Sequence, residues 1–437
     1  MTASPQAAFD FCAVSDHRPL RLGYVVQTGV PEMDVVSGPQ LHIQAVVNEL
    51  KRRGHAVRIL MPQNGRLGWS DTLDGSEWTA ARFGFSRKPL FRFVESPLRR
   101  VQSELQLPYL NLFDSIRFAE AACGALRGSD LIFERFGFMG YGGVLAASRM
   151  GIPAVLEVNG DILKEMDVLG VQLTRAQRRI SKVITRMTLA AATGIVCVAA
   201  ALKERLVETM KLDPGKIEVI ANGADVSLFS QSADRCEIRE EFSLAARPTV
   251  IFVGSFQPWH AVDLLLEAFA RVSHVTEAQL LLVGDGPGRP KAEERVQQSQ
   301  FSNRVRFFGK VSNLKVARLL AASDIAVVPF QYSNGEIPGS PLKIFEYMAA
   351  GCPTVCSWAP IHDTIEHEAT GLRVRPADPA ALAEGILRLL DNVELRRKLG
   401  ARARQVAMER HSWEHTSARL EGFFHKVLAH SRYKTSS

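Results

Sequence analysis

The stretch PGSPLKIFEYMAAG (338–351) combines residue types that bind phosphate and sugar groups. A Gly/Ser/Pro loop leads into a predicted helix with Pro341 in its first turn. Loop amides and a helix start attract anions, and Lys343 adds an ammonium group beside them. Glu346 lies one turn further on the same side, and because a carboxylate near phosphate is favourable only when it bonds to hydroxyls, a ribose diol is its expected partner. A solvated Lys–Glu pair of little energetic value is the alternative.

Two glycine-containing turns follow predicted strands in the same half of the chain. In VGSFQPWH (253–260), Gly254 allows a sharp turn before a helix start, and His260 adds a positive or donor group. An ordinary turn with a solvated histidine is the alternative. LLVGDGPGR, with Gly284, has the spacing G-x-G-x-G, which matches a dinucleotide-binding loop only loosely.

Polar residues also stand at predicted strand ends and helix starts in the first half. IPAVLEVNGD (152–161) places Glu157 and Asn159 at the end of a strand, and SGPQLH opens a helix with His42 one turn in. Both sets are candidates to face a cleft. A core position for His42 and a turn or capping role for Asn159 are the alternatives.

The elements that position these residues follow a repeating order. Apolar runs alternate with segments of helical period, which is typical of parallel sheets covered by helices, and the 437 residues are enough for two cores. This predicts the α/β class, with two Rossmann-like domains facing across a cleft at the carboxyl ends of their strands. We predict an N-terminal tail (1–20), a first domain (21–230) with an insertion (62–112), a linker (231–246), a second domain (247–410) and a C-terminal helical segment (411–437) able to pack back on the first domain.

Composition limits the partners and the compartment. The net charge of +7 favours anionic partners, but the basic residues are dispersed and match no nucleic-acid-binding module, so no nucleic acid is expected. The six cysteines show neither zinc spacing nor a disulfide framework. The N-terminal residues lack a signal-peptide pattern, and the longest apolar run (189–202) is too short to span a bilayer. A cytoplasmic location is therefore expected.

Two segments combine basic with apolar residues. FSRKPLFRFVESPLRR (85–100) mixes basic and aromatic residues, and the helix predicted near 164–192 is amphipathic. Both suit contact with the anionic inner face of a membrane or with a phosphorylated acceptor. An irregular insertion and a solvated helix face are the alternatives. The helix has Arg175, Arg178, Arg179, Lys182 and Arg186 on one face, opposite Leu173, Ile180, Val183, Ile184 and Met187.

Together these motifs resemble glycosyltransferase family 4 over residues 21 to about 420. The stretches that carry the resemblance are SGPQLHIQAVVNELKRRGHAVRIL, KIEVIANGADVSLF, VIFVGSFQPWHAVDLLLEAF, LLLVGDGP, SPLKIFEYMAAGCPTV, TGLRVRPADPAALAEGI and SWE. The resemblance implies the GT-B fold, nucleotide-sugar binding by the second domain, acceptor binding by the first, and retention of anomeric configuration. It also implies no metal and no cofactor besides the nucleotide sugar, in agreement with the absence of a clear Asp-x-Asp signature from the sequence.

Carried over residue by residue, the resemblance makes Glu346 the second glutamate of the family's E-x7-E motif, which binds ribose hydroxyls. The first glutamate falls at position 338, where this sequence has Pro338, with Glu336 two residues earlier. The family's phosphate-binding Arg and Lys fall at Ser255 and His260, so Lys343 is expected to supply the lost positive charge. These departures leave the identity of the sugar open.

The expected mechanism is front-face attack, in which the acceptor hydroxyl attacks on the side that the leaving diphosphate vacates. Such a step needs positioning and charge stabilisation rather than a protein nucleophile. The expected catalytic residues are Lys343, His260 and Asn159. The expected donor-binding residues are Gly254, Ser255, Gly284, Pro338, Gly339, Ser340, Pro341, Leu342 and Glu346. The expected acceptor-side residues are Gly38, His42, Glu134 and Glu157.

The predicted function is transfer of a sugar from a nucleotide sugar to a glycan, a glycolipid or a small-molecule acceptor. Two alternatives stay open. A nucleotide-sugar epimerase on the same fold would change the donor without any acceptor. A non-catalytic sugar-nucleotide-binding subunit, suggested by Pro338 and Ser255, would bind without turnover.

Overall fold

The computed structural model describes residues 18–27, 37–63, 65–73, 77–104, 112–168, 171, 173–230, 234–331, 340–358 and 364–435. Most of the predicted N-terminal tail, the start of the predicted linker, and Glu336, Pro338 and Gly339 lie outside these residues.

The first half of the described chain alternates strands and helices. Its elements are β1 (Arg21–Val26), α1 (Gly38–Arg52), β2 (Ala56–Gln63), β3 (Arg66–Ser70), β4 (Thr79–Ala80), α2 (Pro89–Glu104), α3 (Leu112–Ala125), β5 (Leu131–Arg135), α4 (Gly142–Met150), β6 (Ala154–Val158), α5 (Ile162–Val168), α6 (Arg175–Ala191), β7 (Gly194–Cys197), α7 (Ala200–Met210) and β8 (Ile217–Val219). The strands form one sheet in the order β4-β3-β2-β1-β5-β6-β7-β8, parallel except at β2–β3 and β3–β4. All residues of β6 and β7 are buried, as expected for parallel strands covered on both faces.

The second half repeats this organisation on a smaller sheet. Its elements are α8 (Val226–Phe229), α9 (Arg235–Glu241), β9 (Thr249–Val253), α10 (Val262–Val275), β10 (Gln279–Val283), α11 (Arg289–Gln297), β11 (Val305–Gly309), α12 (Asn313–Ala321), β12 (Ile325–Val328), α13 (Leu342–Ala349), β13 (Thr354–Ser357), β14 (Leu372–Val374), α14 (Pro379–Asp391), α15 (Val393–Arg410) and α16 (Trp413–Thr435). The strand order is β11-β10-β9-β12-β13-β14, with every pair parallel.

Each sheet has a strand at which the strand order reverses. In the first sheet β1 lies between β2 and β5, and in the second β9 lies between β10 and β12. The loops that leave such neighbouring strands diverge to opposite faces, which opens a crevice at their carboxyl ends. The fold therefore provides one ligand-binding edge on each domain.

The stretch predicted as an insertion is integrated into the first domain. In its described part, β3 and β4 extend the sheet by antiparallel pairing. The alternation of apolar runs with helical segments stops there because antiparallel strands are joined by hairpins and need no connecting helix. The basic and aromatic segment at 85–100 is mostly helix α2 rather than irregular chain.

The stretch predicted as a linker contains helix α9 and belongs to the second core. Ile238, Phe242 and Leu244 are buried there together with residues of β9 and α12. The polar residues of this stretch face outwards, and their number is the reason that the sequence predicted a linker here.

The last helix, α16, packs on the first domain. Phe424 is fully buried, with Phe133 of β5 at a ring-centroid distance of 5.1 Å. An ion pair joins Glu421 of α16 to Arg53, which follows α1. Across the part of the chain that the structure describes, no helix is both long and apolar enough to cross a bilayer.

Candidate active site

A cleft of about 710 Å³ lies between the carboxyl ends of the two sheets. This volume is in the range of about 300–1,000 Å³ typical of small-molecule sites. The first domain contributes Ser37, Gly38, Pro39, Leu41, His42, Arg135, Asn159 and Asn222 to its lining. The second domain contributes Gly254, Ser255, Trp259, His260, Gly284, Asp285, Gly286, Lys310, Ser340, Pro341, Leu342, Lys343 and Glu346, among others.

Three neighbouring strands deliver the second-domain wall. Gly254 follows β9, Gly284 follows β10, and α13 is the first helix after β12. Gly254 has φ +152° and Gly284 φ +124°, conformations that favour glycine. A side-chain carbon on Gly284 would overlap the carbonyl oxygen of Gly254, and one on Gly254 would overlap the ammonium of Lys343. Both glycines are therefore required for the close packing of turn against turn and of turn against Lys343.

Lys343 presents a buried cation at this wall. Its side chain is only 7% exposed, and its Nζ lies 4.4 Å from the centroid of the Phe252 ring. Among the described residues Nζ has no hydrogen-bond partner. Burial lowers the pKa of Lys343 to about 7, against the opposing effect of the Glu346 carboxylate. An ammonium taken out of water without a hydrogen-bond partner is unfavourable, so this position favours an anionic ligand.

Helix α13 is fixed from both domains. The backbone N–H of Val253, at the end of β9, donates to the Tyr347 hydroxyl at 2.7 Å. The side-chain amide of Asn222 in the first domain donates to the carbonyl of Ser340 at 3.4 Å. These two bonds set the distance of the α13 start from the Gly254 turn and from the opposite wall.

Glu346 lies on α13 one turn beyond Lys343 and also lines the cleft. Burial raises the pKa of its carboxyl to about 7, while the Lys343 charge acts in the opposite direction. Each of the two groups thus limits the shift of the other. A carboxyl poised near neutrality accepts hydrogen bonds from hydroxyls in its charged form and donates one in its neutral form.

His260 is a neutral group in this cleft. Its Nδ1 lies 2.5 Å from the carbonyl oxygen of Ser255 and 3.2 Å from the Ser255 hydroxyl. Burial and the Lys343 charge hold the pKa of His260 well below its usual value, although the Ser255 carbonyl opposes this shift. Nδ1–H therefore donates to Ser255, and Nε2 is left as an acceptor. Of the two roles expected for His260, a positive group or a donor, the lowered pKa disfavours the positive one.

The first-domain wall rests on a buried charge network. Nε2 of His42 lies 2.7 Å from Oε1 of Glu157, and Arg135 lies 3.5 Å from Oε2. Burial would raise the pKa of Glu157, but His42, Arg135 and the Asn159 amide together lower it to about 2. Glu157 is 2% exposed and lies behind the wall. It therefore orients His42 and Arg135 instead of meeting a ligand itself, which corrects its expected acceptor-side position.

The prediction that Glu134 faces the acceptor side is wrong. Its side chain is fully buried, and its carboxylate accepts hydrogen bonds from the backbone N–H groups of Gly143 and Val144 at the start of α4. Burial raises the pKa of Glu134 to about 8 despite these two bonds. The residue stabilises a helix start and does not form part of the wall.

The other predicted residues that the structure describes meet at the cleft. They are Gly38, His42, Asn159, Gly254, Ser255, His260, Gly284, Ser340, Pro341, Leu342, Lys343 and Glu346. The sequence reading missed Arg135, Asn222, Trp259, Asp285 and Lys310. Strand-end position was the available signal for Arg135 and Lys310, and the NGAD motif was the signal for Asn222.

Comparison with solved structures shows the fold. The Anabaena protein HepE, in complex with UDP, superposes with a TM-score of 0.68 at 16% identity, covering 93% of this chain and all of that one. Sucrose-phosphate synthase from Thermosynechococcus elongatus gives 0.69 at 20% identity, covering 94% of this chain and all of that one. The two facing domains have the GT-B fold.

Sequence comparisons identify the family. A model described as Glycosyltransferase Family 4 matches residues 36–228, and one described as Glycosyl transferases group 1 matches residues 247–392. The chain belongs to glycosyltransferase family 4.

Curated relatives support the same assignment. N-acetyl-alpha-D-glucosaminyl L-malate synthase of Bacillus anthracis is 30% identical over 214 residues, which are 48% of this chain and 54% of that protein. D-inositol 3-phosphate glycosyltransferase of a Nocardioides species is 28% identical over 327 residues, which are 69% of this chain and 68% of that protein. The alignment thus spans about half the length of the first relative and about two thirds of the second.

Replacing Lys343 by alanine removes the buried ammonium. We expect the affinity for a nucleoside diphosphate to fall about 10- to 100-fold, as for loss of a hydrogen bond to a charged group, and turnover to drop sharply. Calorimetry with UDP, GDP and ADP and steady-state kinetics measure both quantities. Lys291→Ala is the control, since that side chain is 74% exposed on the same domain. Near wild-type behaviour of Lys343→Ala would refute a phosphate-binding role.

Nucleotide binding should depend on pH through the same lysine. Since the pKa of free Lys343 is about 7, a bound anion raises it, and binding takes up a proton. Affinity should therefore fall as the pH rises from about 7 to about 9. Calorimetry in buffers of different ionisation enthalpy measures the uptake, which should be reduced in Lys343→Met. Equal proton uptake by the two proteins would contradict this prediction.

Proposed function

We propose that this protein is a retaining, metal-independent glycosyltransferase. It moves a sugar from a nucleotide sugar held by the second domain to a glycan, glycolipid or small-molecule acceptor held by the first. The observation that carries the proposal is the buried ammonium of Lys343, which has no hydrogen-bond partner among the described residues and lies under turns that require glycine. We also propose that the protein acts in the cytoplasm and makes a peripheral contact with the anionic inner face of a membrane.

The donor diphosphate is proposed to lie over the start of α13 and the Gly254 turn, beside Lys343. There the loop amides and the ammonium bind the phosphate oxygens. Glu346 is proposed to bond the ribose hydroxyls, and Nε2 of His260 to accept a bond from a hydroxyl of the donor sugar. Pro338 and Gly339 stay predictions of donor contact.

The transfer step is proposed to occur on the front face of the donor sugar. The acceptor oxygen bonds to the anomeric carbon while the bond from that carbon to the diphosphate oxygen breaks, and the acceptor proton passes to the departing diphosphate. Lys343 stabilises the charge that builds on the leaving group. His42 and Asn159 orient the acceptor hydroxyl, so that the protein's share of catalysis is alignment and electrostatics.

The test is product stereochemistry with a panel of nucleotide sugars. UDP-sugars come first, since HepE has been solved with UDP and with UDP-glucose. We expect the product to keep the donor's anomeric configuration by proton NMR and activity to survive EDTA. An inverted product or loss of activity in EDTA would contradict the proposal. Conversion of the donor without an acceptor would favour an epimerase, and binding without turnover across acceptors would favour a binding subunit.

Glu346→Ala should weaken nucleotide binding and remove the preference for ribose. We expect the wild type to bind the ribonucleoside diphosphate about tenfold more tightly than its 2′-deoxy analogue, because one hydrogen bond to a charged group is lost. The variant should bind both alike in calorimetry. Glu267→Ala on α10, whose side chain is 49% exposed, serves as control. Persistence of the ribose preference in Glu346→Ala would assign the diol to another residue.

A further inference from the structure

Exposed large apolar side chains are concentrated on two helices of the first domain. Among the described residues there are fourteen such side chains, and eight of them lie on α2 and α6. Phe93 is 77% exposed and Leu90 is 73% exposed. Single exposed apolar residues are normal on protein surfaces, but a concentration of this kind indicates a contact site.

The spacing of these residues makes each set one continuous stripe. On α2 they are Leu90, Phe93, Val94, Leu98 and Val101, and on α6 they are Ile180, Val183 and Met187. Intervals of three, four and seven residues place side chains along one face of a helix. We call these eight residues the apolar stripes.

Both helices turn polar side chains towards the protein, and α2 buries Phe91 beside its buried Glu95. The inward side of α6 carries mainly Gln177, Ser181, Thr185 and Thr188, all buried. On α2 the inward Glu95 is bonded to Arg99 at 2.6 Å and to Arg117 of α3. The apolar stripes are therefore not a core that lost its cover, because the domain packs on the opposite sides of both helices.

The charges that flank the apolar stripes are predominantly positive. Arg179, Lys182 and Arg186 are exposed on α6, whose sequence contains no acidic residue. On α2 Arg100 is 81% exposed, and it stands 3.6 Å from Glu104 at the end of the helix. Arg87 and Lys88 are exposed just before α2. Apolar stripes bordered by basic residues match the boundary between headgroups and acyl chains of an anionic bilayer.

The two helices lie on the same side of the molecule. Phe91 of α2 packs edge-on against Phe113 of α3 at 5.7 Å. Residues of α3 and Leu189 of α6 are buried in one core on one face of the first sheet, while α1 and α16 cover the other face. Both helices therefore belong to the layer that covers the same face of the first sheet.

We propose that the apolar stripes and their basic neighbours seat the first domain on an anionic membrane. A symmetric pairing of two copies through this surface would set like charges against each other, which disfavours self-association. The inference rests on the proposed function in one respect: it makes the acceptor lipid-linked, presented to the cleft from the bilayer surface.

Flotation with vesicles tests the proposal directly. The full chain is mixed with vesicles of phosphatidylcholine alone or with added phosphatidylglycerol, at low and high NaCl and without nucleotide. We expect binding to the anionic vesicles only, weakened by salt. Leu90→Ser/Phe93→Ser and Ile180→Ser/Val183→Ser should each lose most of it, and Lys182→Gln/Arg186→Gln should bind about 30-fold more weakly. Val275→Ser/Leu314→Ser, which alters exposed apolar residues of the second domain, should bind like the wild type.

Further readouts separate the possible failures. Thermal shifts with UDP, GDP and ADP should be the same in the α2 and α6 variants as in the wild type, which verifies folding and keeps nucleotide binding distinct from membrane binding. Absence of binding to anionic vesicles, or equal binding by the stripe variants, overturns the membrane proposal and leaves the transferase proposal intact. A dimer in light scattering that Phe93→Ser dissolves also overturns it, because the occupant is then a second copy.

Discussion

The structure of the site depends on one unfavourable interaction, the burial of the Lys343 ammonium beside Phe252 without a hydrogen-bond partner among the described residues. Removal of a cation from water costs several kcal/mol, and contact with an aromatic face returns about 0.5–2 kcal/mol. The pKa of about 7 expresses the imbalance. Gly254 leaves the room for the ammonium, and Tyr347 ties α13 to β9 so that the side chain cannot withdraw. The remaining deficit is what an anionic ligand relieves.

At the facing wall, the first domain holds a buried charge that its neighbours compensate. Glu157 is as deeply buried as Lys343, yet its pKa falls to about 2 because His42 and Arg135 compensate its charge. A compensated network is rigid and gains little from a new charge, but it holds polar groups in fixed directions. In the proposed function the two walls therefore have different roles: the uncompensated lysine of the second domain is the group for a charged diphosphate, and the oriented polar groups of the first are those for a neutral hydroxyl.

Sequence reasoning succeeded where the signal was local. Apolar runs alternating with segments of helical period predicted the two sheets. Glycines at strand ends predicted Gly254 and Gly284, since a parallel sheet brings all carboxyl ends to one edge. It failed where a partner distant in the chain decided the outcome. Glu134 turns inward because α4 begins where its carboxylate can accept two N–H groups, and His260 is neutral partly because Lys343 arrives from a distant helix. On α6 the helical period predicted an apolar face, but it could not show that this face points to solvent, because that depends on which residues the rest of the domain buries.

The relative position of the two walls is fixed at one edge, where the two chain segments that connect the domains are hydrogen-bonded to each other. The chain passes from the first domain to the second near Ala224 and returns near Trp413. The N–H of Ala224 donates to the carbonyl of His411 at 2.8 Å, and the N–H of Trp413 donates to the carbonyl of Ala224 at 3.2 Å. Trp413 then packs its ring edge against His42 at 5.3 Å. Asn222 lies in the first of these segments, and its side-chain amide donates to the carbonyl of Ser340. A single junction therefore positions a first-domain histidine and the start of the helix that carries Lys343, so the geometry of both walls follows from it.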